Sequence, residues 1–315
     1  MTGQESIPDF NEQCALILRR WQAGELPFRD AASYLEALGQ QAIQEQNTAN
    51  QARIEFSWGY MQGYRSNLNE SIKHFERARE LYEIAKDDRR VLSCDLNLGE
   101  SHRRKGDFTR ARELFRAAYE RSMQLGEIRT QTIARANEGQ MLLSMGQMNS
   151  ARMILQEALQ LAERWEPQHR QSLVGLLCEI YHALAVIYLN ENNVEAAWEE
   201  AKQALGAAQE FNQPLEIGYA NRTLGEVLTA YQNAPLDSDV STNPDDYFKA
   251  SIEAFRSLDA EGEVARTLHV FARSLAKRGK RVPAARQLQQ ATLIFAKLGM
   301  VDDAAKAAES QSEIF

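Results

Sequence analysis

A triplet of side chains recurs six times along this chain of 315 residues, and it limits the possible folds more than any other feature. In each triplet a small residue is followed four positions later by a residue that is large in four copies, and a third, small residue follows three positions after that. Residues at spacings of four and three share one face of a helix, so each triplet predicts a helix that packs closely on a neighbour. The six triplets are Ser71/Phe75/Ala78, Ala111/Phe115/Ala118, Ala151/Leu155/Ala158, Ala197/Ala201/Ala204, Ala250/Ala254/Ser257 and Ala284/Leu288/Ala291.

A further small residue precedes each triplet, and we call its place the anchor position. A turn-forming residue follows seven positions after the anchor in four copies, at Gly106, Gly146, Asn192 and Gly279. Gly and Asn accept the left-handed conformation that ends a helix, so each unit is predicted to be helix A, a tight turn and helix B. Because one such pair cannot bury both of its apolar faces, the pairs must stack. The anchors are Gly59, Gly99, Gly139, Ala185, Gly225 and Ala272.

The stretch "LGESHRRKGDFTRARELFRAA" at 98–118 resembles the tetratricopeptide repeat, with Leu-Gly, a ring residue, Gly-Asp-Phe and then Ala, Phe and Ala. The resemblance covers about residues 50–300. The first four triplets lie 40, 40 and 46 residues apart, so the units are similar to the long-helix variety of bacterial regulators and peptide-sensing proteins. The family's early Trp is absent and its closing Pro mostly so. The resemblance implies an all-α, right-handed α-solenoid of about seven antiparallel helix pairs with a C-terminal capping helix.

Three segments are predicted along the chain. Residues 1–49 form a degenerate helix pair that caps the array, residues 50–300 form the repeats, and residues 301–315 form the capping helix. A polar insertion at 233–246 interrupts the fifth unit. Asp237, Asp239, Ser241 and Asn243 alternate there like the start of a calcium loop, but Thr242 and Phe248 occupy the places of its Gly and closing Glu, so a solvated loop is predicted.

Composition and motifs favour a binding protein over an enzyme. A net charge of −8 argues against a chain-wide affinity for nucleic acid or an anionic membrane. The three distant cysteines form no CxxC, so buried free thiols are expected rather than disulfides or a zinc site. No phosphate loop, HExxH, GxSxG or Cys–His arrangement occurs, which predicts no catalysis, no cofactor and no metal. With no signal peptide and no convincing membrane span, a cytoplasmic protein is expected.

The resemblance implies that the A helices line a concave groove, where a peptide or partner segment binds. Asn97 and Asn137 occupy equivalent positions two residues before the anchor, and family members use Asn there to hold a peptide backbone. The alternatives are solvent-facing or intrahelical contacts for these Asn side chains, and solvated helix-end charges for Arg103–Lys105. Arg222, His269 and Arg273 make the other end more basic and favour an acidic peptide or a carboxylate. The predicted groove residues are Tyr60, Tyr64, Asn97, Glu100, Arg103, Asn137, Gln140, Arg222, Glu226, His269 and Arg273.

Three functions remain open on the sequence alone. The leading hypothesis is a non-catalytic scaffold for protein–protein interaction that binds a peptide or partner segment in the groove. The second is a regulator that senses a peptide or metabolite and acts in trans on a partner. The third is a self-assembling structural adaptor that forms homo-oligomers.

Overall fold

The computed structural model describes residues 9–164, 173–212, 214–231 and 241–314, which form helices and no strand. The helices are α1 (Phe10–Gln22), α2 (Phe28–Gln44), α3 (Thr48–Tyr64), α4 (Leu68–Ile84), α5 (Asp88–Lys105), α6 (Phe108–Leu125), α7 (Ile128–Ser144), α8 (Met148–Glu163), α9 (Val174–Asn190), α10 (Val194–Phe211), α11 (Pro214–Ala230), α12 (Pro244–Ser257), α13 (Glu261–Lys277), α14 (Arg281–Leu298) and α15 (Val301–Ile314).

The helices divide into two compact units. Unit 1 is Met1–Ala134 and unit 2 is Arg135–Phe315. In unit 1 the helices α1 to α6 pack in chain order, and in unit 2 the helices α8 to α15 do so, each odd-numbered A helix of these pairs lying on the B helix after it. Gly139 of α7 lies against Leu155 of α8, and α15 packs on α13 and α14. The predicted all-α repeat of seven helix pairs with a final helix is therefore confirmed. The predicted boundaries at 49 and 300 stay a prediction, since the contacts divide the chain at 134 instead.

The turns within the pairs have the predicted geometry. Gly106, Gly146, Asn192 and Gly279 have φ of 90°, 74°, 58° and 76°, so all four predicted turn residues are left-handed. Ser66, the equivalent residue of the first copy, shares this conformation with a φ of 66°. Asp107 follows Gly106 and accepts a hydrogen bond from the Arg110 backbone at 3.2 Å, which caps α6. The Gly-Asp pair thus ends one helix and starts the next.

The anchor glycines allow the two helices of a pair to approach closely. A Cβ on Gly59 would lie 2.8 Å from the Phe75 ring, and one on Gly139 would lie 2.6 Å from Leu155. These large residues are the central members of their triplets, and both are almost fully buried. The predicted packing of small anchors on large triplet residues is therefore confirmed for these pairs.

The fifth triplet was placed wrongly by the sequence pattern. Ser257 is exposed and Ala254 only half-buried, while Phe248 and Phe255 are fully buried. Phe248 fills the space beside the anchor Gly225, where a Cβ would lie 2.8 Å from its ring. The central triplet residue lies 16 positions after the anchor in the first three pairs but 23 positions after it here, so the insertion adds seven residues.

The chain ends and the insertion are partly described. Cys14, Leu18 and Trp21 of α1 pack with Leu35 of α2 and Met61 of α3, so the first pair covers the side of α3. Residues 233–240 of the insertion lie outside the described residues, including the Asp237 and Asp239 of the calcium-loop pattern. Asp245, in the described part of the insertion, pairs with Arg278 and Lys280.

The cysteines and the hydropathy of the helices also fit the sequence analysis. Cys14, Cys94 and Cys178 are buried free thiols, as predicted. Over the described ranges, no helix combines the length and apolar character that a membrane span requires.

Candidate functional site

Tyr60 and Tyr64 of unit 1 join α3 to α1. Their hydroxyl groups are 2.7 Å apart, and the side-chain amide of Gln22 donates to them at 2.9 and 2.8 Å. The Tyr64 ring also lies 5.5 Å from the Trp21 ring. Both tyrosines are only half-buried, but their polar ends are engaged with the N-terminal pair. Their predicted role in a groove stays a prediction, alongside this structural one.

The opposite charges of α5 pair within the helix. Arg103 donates two hydrogen bonds to Glu100, at 2.7 and 2.6 Å, so the two predicted groove residues form one bidentate ion pair. Arg104 donates to the Gly63 carbonyl at 2.7 Å and so satisfies the C-terminal end of α3. Arg104, one residue of the basic run Arg103–Lys105, therefore has a structural role.

The two predicted asparagines differ in their contacts. Asn97 of α5 donates to the Ser93 carbonyl at 2.8 Å, an intrahelical bond of the kind expected for the alternative role. Asn137 of α7 is 8% exposed, and its amide has no hydrogen-bond partner in the described part of the chain. Asn97 belongs to unit 1 and Asn137 to unit 2, so the helices of a different unit position each side chain.

A chain of charges links α11, α13 and α15 in unit 2. Glu263, 2% exposed, accepts from Arg222 at 3.0 Å and from Arg266 at 2.6 Å. Arg266 also bonds Asp303 at 2.9 Å. Burial by itself disfavours the charge of Arg266, but Glu263 and Asp303 outweigh it, so its pKa is raised. Arg222, predicted as a ligand-binding residue, is held in this network and against the rings of Tyr219 and Phe255 at 5.1 and 5.6 Å.

The other predicted residues of unit 2 have more freedom. Arg273 is exposed and Glu226 half-buried, and neither has an ion pair among the residues that the structure describes. Burial raises the pKa of Glu226, although the cations of Arg222, Arg273 and Lys277 act in the opposite direction. His269 bonds the Ser310 hydroxyl at 2.8 Å, and burial together with the Arg273 charge lowers its pKa. The predicted role of Arg273 and Glu226 in ligand binding stays a prediction.

The sequence analysis missed two carboxyl groups, Glu179 of α9 and Glu216 of α11. Their helices are in contact where the Cys178 Sγ lies 3.8 Å from the Glu216 carbonyl oxygen. Glu216 is 5% exposed, and its side chain has no bonded partner elsewhere in the described ranges. Burial raises its pKa to about 8, and the nearby charge of Glu179 adds to this effect. Glu179 accepts a hydrogen bond from the predicted groove residue Gln140 at 3.0 Å, which links α7 to α9. Burying an ionised carboxyl group without a counter-charge costs free energy. The Glu216 side chain is therefore either protonated or, when it is ionised, in need of a cation.

The repeat register contains the signal for these residues. Glu216 and Glu263 both lie nine positions before their anchors, Gly225 and Ala272. Aligning the units at this position, rather than only near the anchor, would have drawn attention to the two acids. Which of them has arginine partners depends on the neighbouring helix, and the pattern of a single helix does not reveal it.

The comparisons with known proteins agree with this repeat architecture. The model of the tetratricopeptide repeat family matches residues 51–124. No curated protein sequence matches the chain.

Solved structures share the fold over most of the chain. A Rap protein complexed with Competence and Sporulation Factor is 15% identical, with 92% of this chain and 75% of that chain aligned and a TM-score of 0.69. The Rap conjugation gene regulator of plasmid pLS20, in complex with the Phr* peptide, is 15% identical in sequence. The alignment covers 94% of this chain and 75% of that chain, with a TM-score of 0.71. Aspartyl phosphate phosphatase F from Bacillus subtilis is 14% identical in sequence. The alignment covers 94% of this chain and 70% of that chain, with a TM-score of 0.59.

The family match and the geometry agree over residues 51–124. The anchors, the left-handed turns and the helix pairs are the features that the resemblance implies, and they recur beyond the segment matched by the family model. The chain therefore contains a segment that matches the tetratricopeptide repeat family, within an all-α array of similar helix pairs.

Proposed function

We propose that this protein binds a peptide or an extended partner segment, and that the A helices of unit 2 hold it. The observation that carries the proposal is Asn137, a residue 8% exposed whose side-chain amide lacks a hydrogen-bond partner in the described part of the chain. An amide can donate and accept at once, so it suits the backbone of an extended peptide. Among the predicted groove residues of unit 1, by contrast, Glu100 pairs with Arg103 and Tyr60 bonds Tyr64.

The structural neighbours support a peptide ligand. Two of the three bear a bound signalling factor or peptide in their names, and both align with more than nine-tenths of this chain. A stack of A helices offers several shallow contacts, from which an extended segment gains affinity. Because one of those neighbours is a gene regulator, a peptide-sensing regulator that acts in trans on a partner is the second candidate.

We propose further that the binding is not coupled to catalysis, even though one neighbour is named a phosphatase. The thiolate is the nucleophilic form of Cys, and burial raises the pKa of Cys94 and Cys178 far above its usual range. Most of the ion pairs of unit 2 described above join neighbouring helices, as expected of structural contacts. Self-assembly remains the third candidate, and light scattering of the purified chain measures it directly.

The experiment is affinity selection from a pool of random heptapeptides. The protein is incubated with the pool, retained peptides are separated with it by size exclusion, and mass spectrometry identifies them. We expect retention by the native chain and a loss of most of it in Asn137→Ala. Asn149→Ala is the matched control, because Asn149 is exposed on the B helix α8. A native chain that retains no peptide, or an Asn137→Ala variant that matches the control, would refute the proposal.

A further inference from the structure

The first helix pair has an apolar opening on its surface, which we call the α1–α2 cleft. It has a volume of about 300 Å³, and its lining residues belong to α1, α2 and the turn between them. Leu26 in the lining is part of the buried core of the pair, and Ile17 and Leu38 pack against that core. Leu16 and Tyr34 also line the cleft, although they are 43% and 54% exposed. Two large apolar side chains are therefore left in contact with water at this cleft.

The later helix pairs show how the flank of an A helix is normally covered. A B helix packs on the A helix that follows it, as α4 does on α5 and α10 on α11. In the part of the chain that the structure describes, α1 follows no B helix and packs on α2 and α3. A terminal pair of a stacked array needs a polar outer face to remain in solution, whereas the α1–α2 cleft is mostly apolar. A further helical surface is therefore the occupant that suits the cleft.

The exposed stripe of α1 is complementary in charge to itself. Glu12, Leu16 and Arg20 are exposed and lie four residues apart, so they share one face of the helix. Leu16 is the middle residue of α1, which runs from Phe10 to Gln22. When two copies of α1 lie antiparallel across a two-fold axis at Leu16, the Glu12 of each copy lies opposite the Arg20 of the other copy. The same contact places apolar side chains at its centre and opposite charges at both of its ends.

Neither charge of this stripe has to leave a strong partner to make such a contact. The Glu12 carboxylate accepts the Asp9 backbone N–H at 3.1 Å through Oε2, a capping bond that uses one of its two oxygens. Arg20 lies 3.8 Å from Glu25, and the two side chains are 49% and 64% exposed. An exposed ion pair of that kind contributes little free energy. Both groups can therefore pair across an interface at low cost.

The last helix, α15, has no matching apolar surface in its described part. Its exposed residues are polar or charged, apart from Val301, Ala305 and Ala308. A head-to-tail contact between two copies would place the α1–α2 cleft against a different surface, and repeated contacts of that kind extend into open filaments unless they close as a ring. A two-fold contact uses the same surface twice and closes with two copies. The cleft therefore fits best against its own counterpart.

We propose that the α1–α2 cleft is the contact surface of a homodimer, in which the first helix pairs of two copies pack across a two-fold axis with their α1 helices antiparallel. The two Leu16 side chains pack on each other at the axis and on the lining of both clefts. Burial of this apolar surface supplies the affinity, and the Glu12–Arg20 contacts fix the register. The dimer gives self-assembly a defined surface, and it does not depend on the proposed peptide binding.

Analytical ultracentrifugation of the full chain measures the monomer–dimer equilibrium. The native chain is expected to pass from 35.7 kDa towards twice that mass as its concentration rises. Leu16→Asp places two carboxylates at the axis and is expected to weaken dimerisation at least about ten-fold. Leu293→Asp is the matched control, at a leucine 65% exposed on α14, and should stay within about two-fold of the native chain. A native chain that remains monomeric, or a Leu16→Asp variant that dimerises like the control, overturns the proposal.

Charge reversal tests the antiparallel register. Arg20→Glu brings two acidic residues together at each end of the contact, and Glu12→Arg brings two arginines together there. Each variant alone is expected to dimerise at least about five-fold more weakly than the native chain. Glu36→Arg, an exposed position of α2 outside the cleft lining, is the control for the change of charge.

An equimolar mixture of the Arg20→Glu and Glu12→Arg chains restores opposite charges at both ends. We expect it to form a heterodimer with an affinity within about two-fold of that of the native homodimer. Recovery in the mixture also shows that both variants are folded. Single variants that dimerise as well as Glu36→Arg, or a mixture that forms no heterodimer, overturn the antiparallel contact and with it the proposal.

Discussion

Phe115 lies so close to Gly99 that a Cβ on the glycine would come within 2.4 Å of the ring carbon Cε1. Phe115 is 1% exposed, and Ala111 and Ala118 beside it are fully buried. The ring therefore fills the space that a side chain on the A helix would need. This contact is the physical reason for a small residue at the anchor of the repeat.

Gly99→Ala is therefore expected to destabilise the protein although Ala is the better helix former. Overpacking of this kind costs about 1–3 kcal/mol, against a gain of up to about 1 kcal/mol from helix propensity. Gly206→Ala is the matched control, because a Cβ there meets nothing within 4 Å and the residue is exposed on α10. Urea unfolding measures both, and a Gly99→Ala variant as stable as the control would contradict close packing at the anchor.

The sequence allowed the helix pairs to be predicted because their signals are local. Gly106 and Gly146 end helices by their own conformational freedom, and small residues four and three positions from a large one mark a helix face within a single turn. The prediction of the fifth triplet was wrong because the sequence pattern reads only such local signals. Ala250 and Ala254 imitate the small-residue spacing, while the true contact of Phe248 with Gly225 spans the insertion and is not a local feature.

The candidate site was less predictable because charge pairing is decided across helices. Arg222 and Glu226 lie one turn apart on α11, yet Arg222 is bound to Glu263 of α13 and Glu226 has no ion pair among the described residues. Glu216 and Glu263 have the same residue type, burial and register, but different neighbours. A helical pattern gives the face of a residue, whereas its availability for a ligand depends on the residues that reach it from the adjacent helix.

The stability of the protein should respond to pH through Glu216. Its pKa in the folded chain is about 8, against 4.5 for the free group, so the folded state holds a proton between these values that the unfolded state has released. The free energy of unfolding therefore falls as pH rises from about 4.5 to about 8, by up to about 1.4 kcal/mol per pH unit from this group.

Glu216→Gln removes this dependence, so the variant is expected to match the native chain near pH 5 and to exceed its stability by a few kcal/mol, roughly 2–4, above pH 8. Urea midpoints at pH 5, 6, 7 and 8.5 measure the effect, with Glu210→Gln as the control. Native and Glu216→Gln curves that run parallel over this range would show that the carboxyl is already ionised at neutral pH.

Two arginines of unit 2 should differ sharply in their effect on stability. Arg222→Met keeps an apolar stem against Tyr219 and Phe255 but leaves Glu263 with Arg266 alone, and a loss of about 2–3 kcal/mol is expected. Arg273→Met changes an exposed cation with no ion pair in the described ranges, and a change within about 0.5 kcal/mol is expected. Thermal and urea unfolding compare them.

The double variant Arg222→Met/Glu263→Gln tests the origin of that loss. Because the Glu263→Gln substitution removes the buried charge, part of the stability lost in Arg222→Met should return. An equal loss in Arg222→Met and Arg273→Met would mean that the Arg222–Glu263 contact contributes nothing, and Arg222 would then regain its place among the groups available to a ligand.

Tyr64 offers a test of whether the aromatic residues of α3 serve the fold. Tyr64→Phe removes a hydroxyl that bonds Gln22 at 2.8 Å and Tyr60 at 2.7 Å, while the ring contact with Trp21 remains. A loss of about 1 kcal/mol is expected, and Tyr34→Phe, at a tyrosine 54% exposed, should change stability by less than about 0.5 kcal/mol. A double-mutant cycle with Gln22→Ala should give a coupling free energy of about 0.5–1 kcal/mol. If Tyr64→Phe leaves stability unchanged and the cycle shows no coupling, the hydroxyl does not hold α1 to α3, and the structural role assigned to it is wrong.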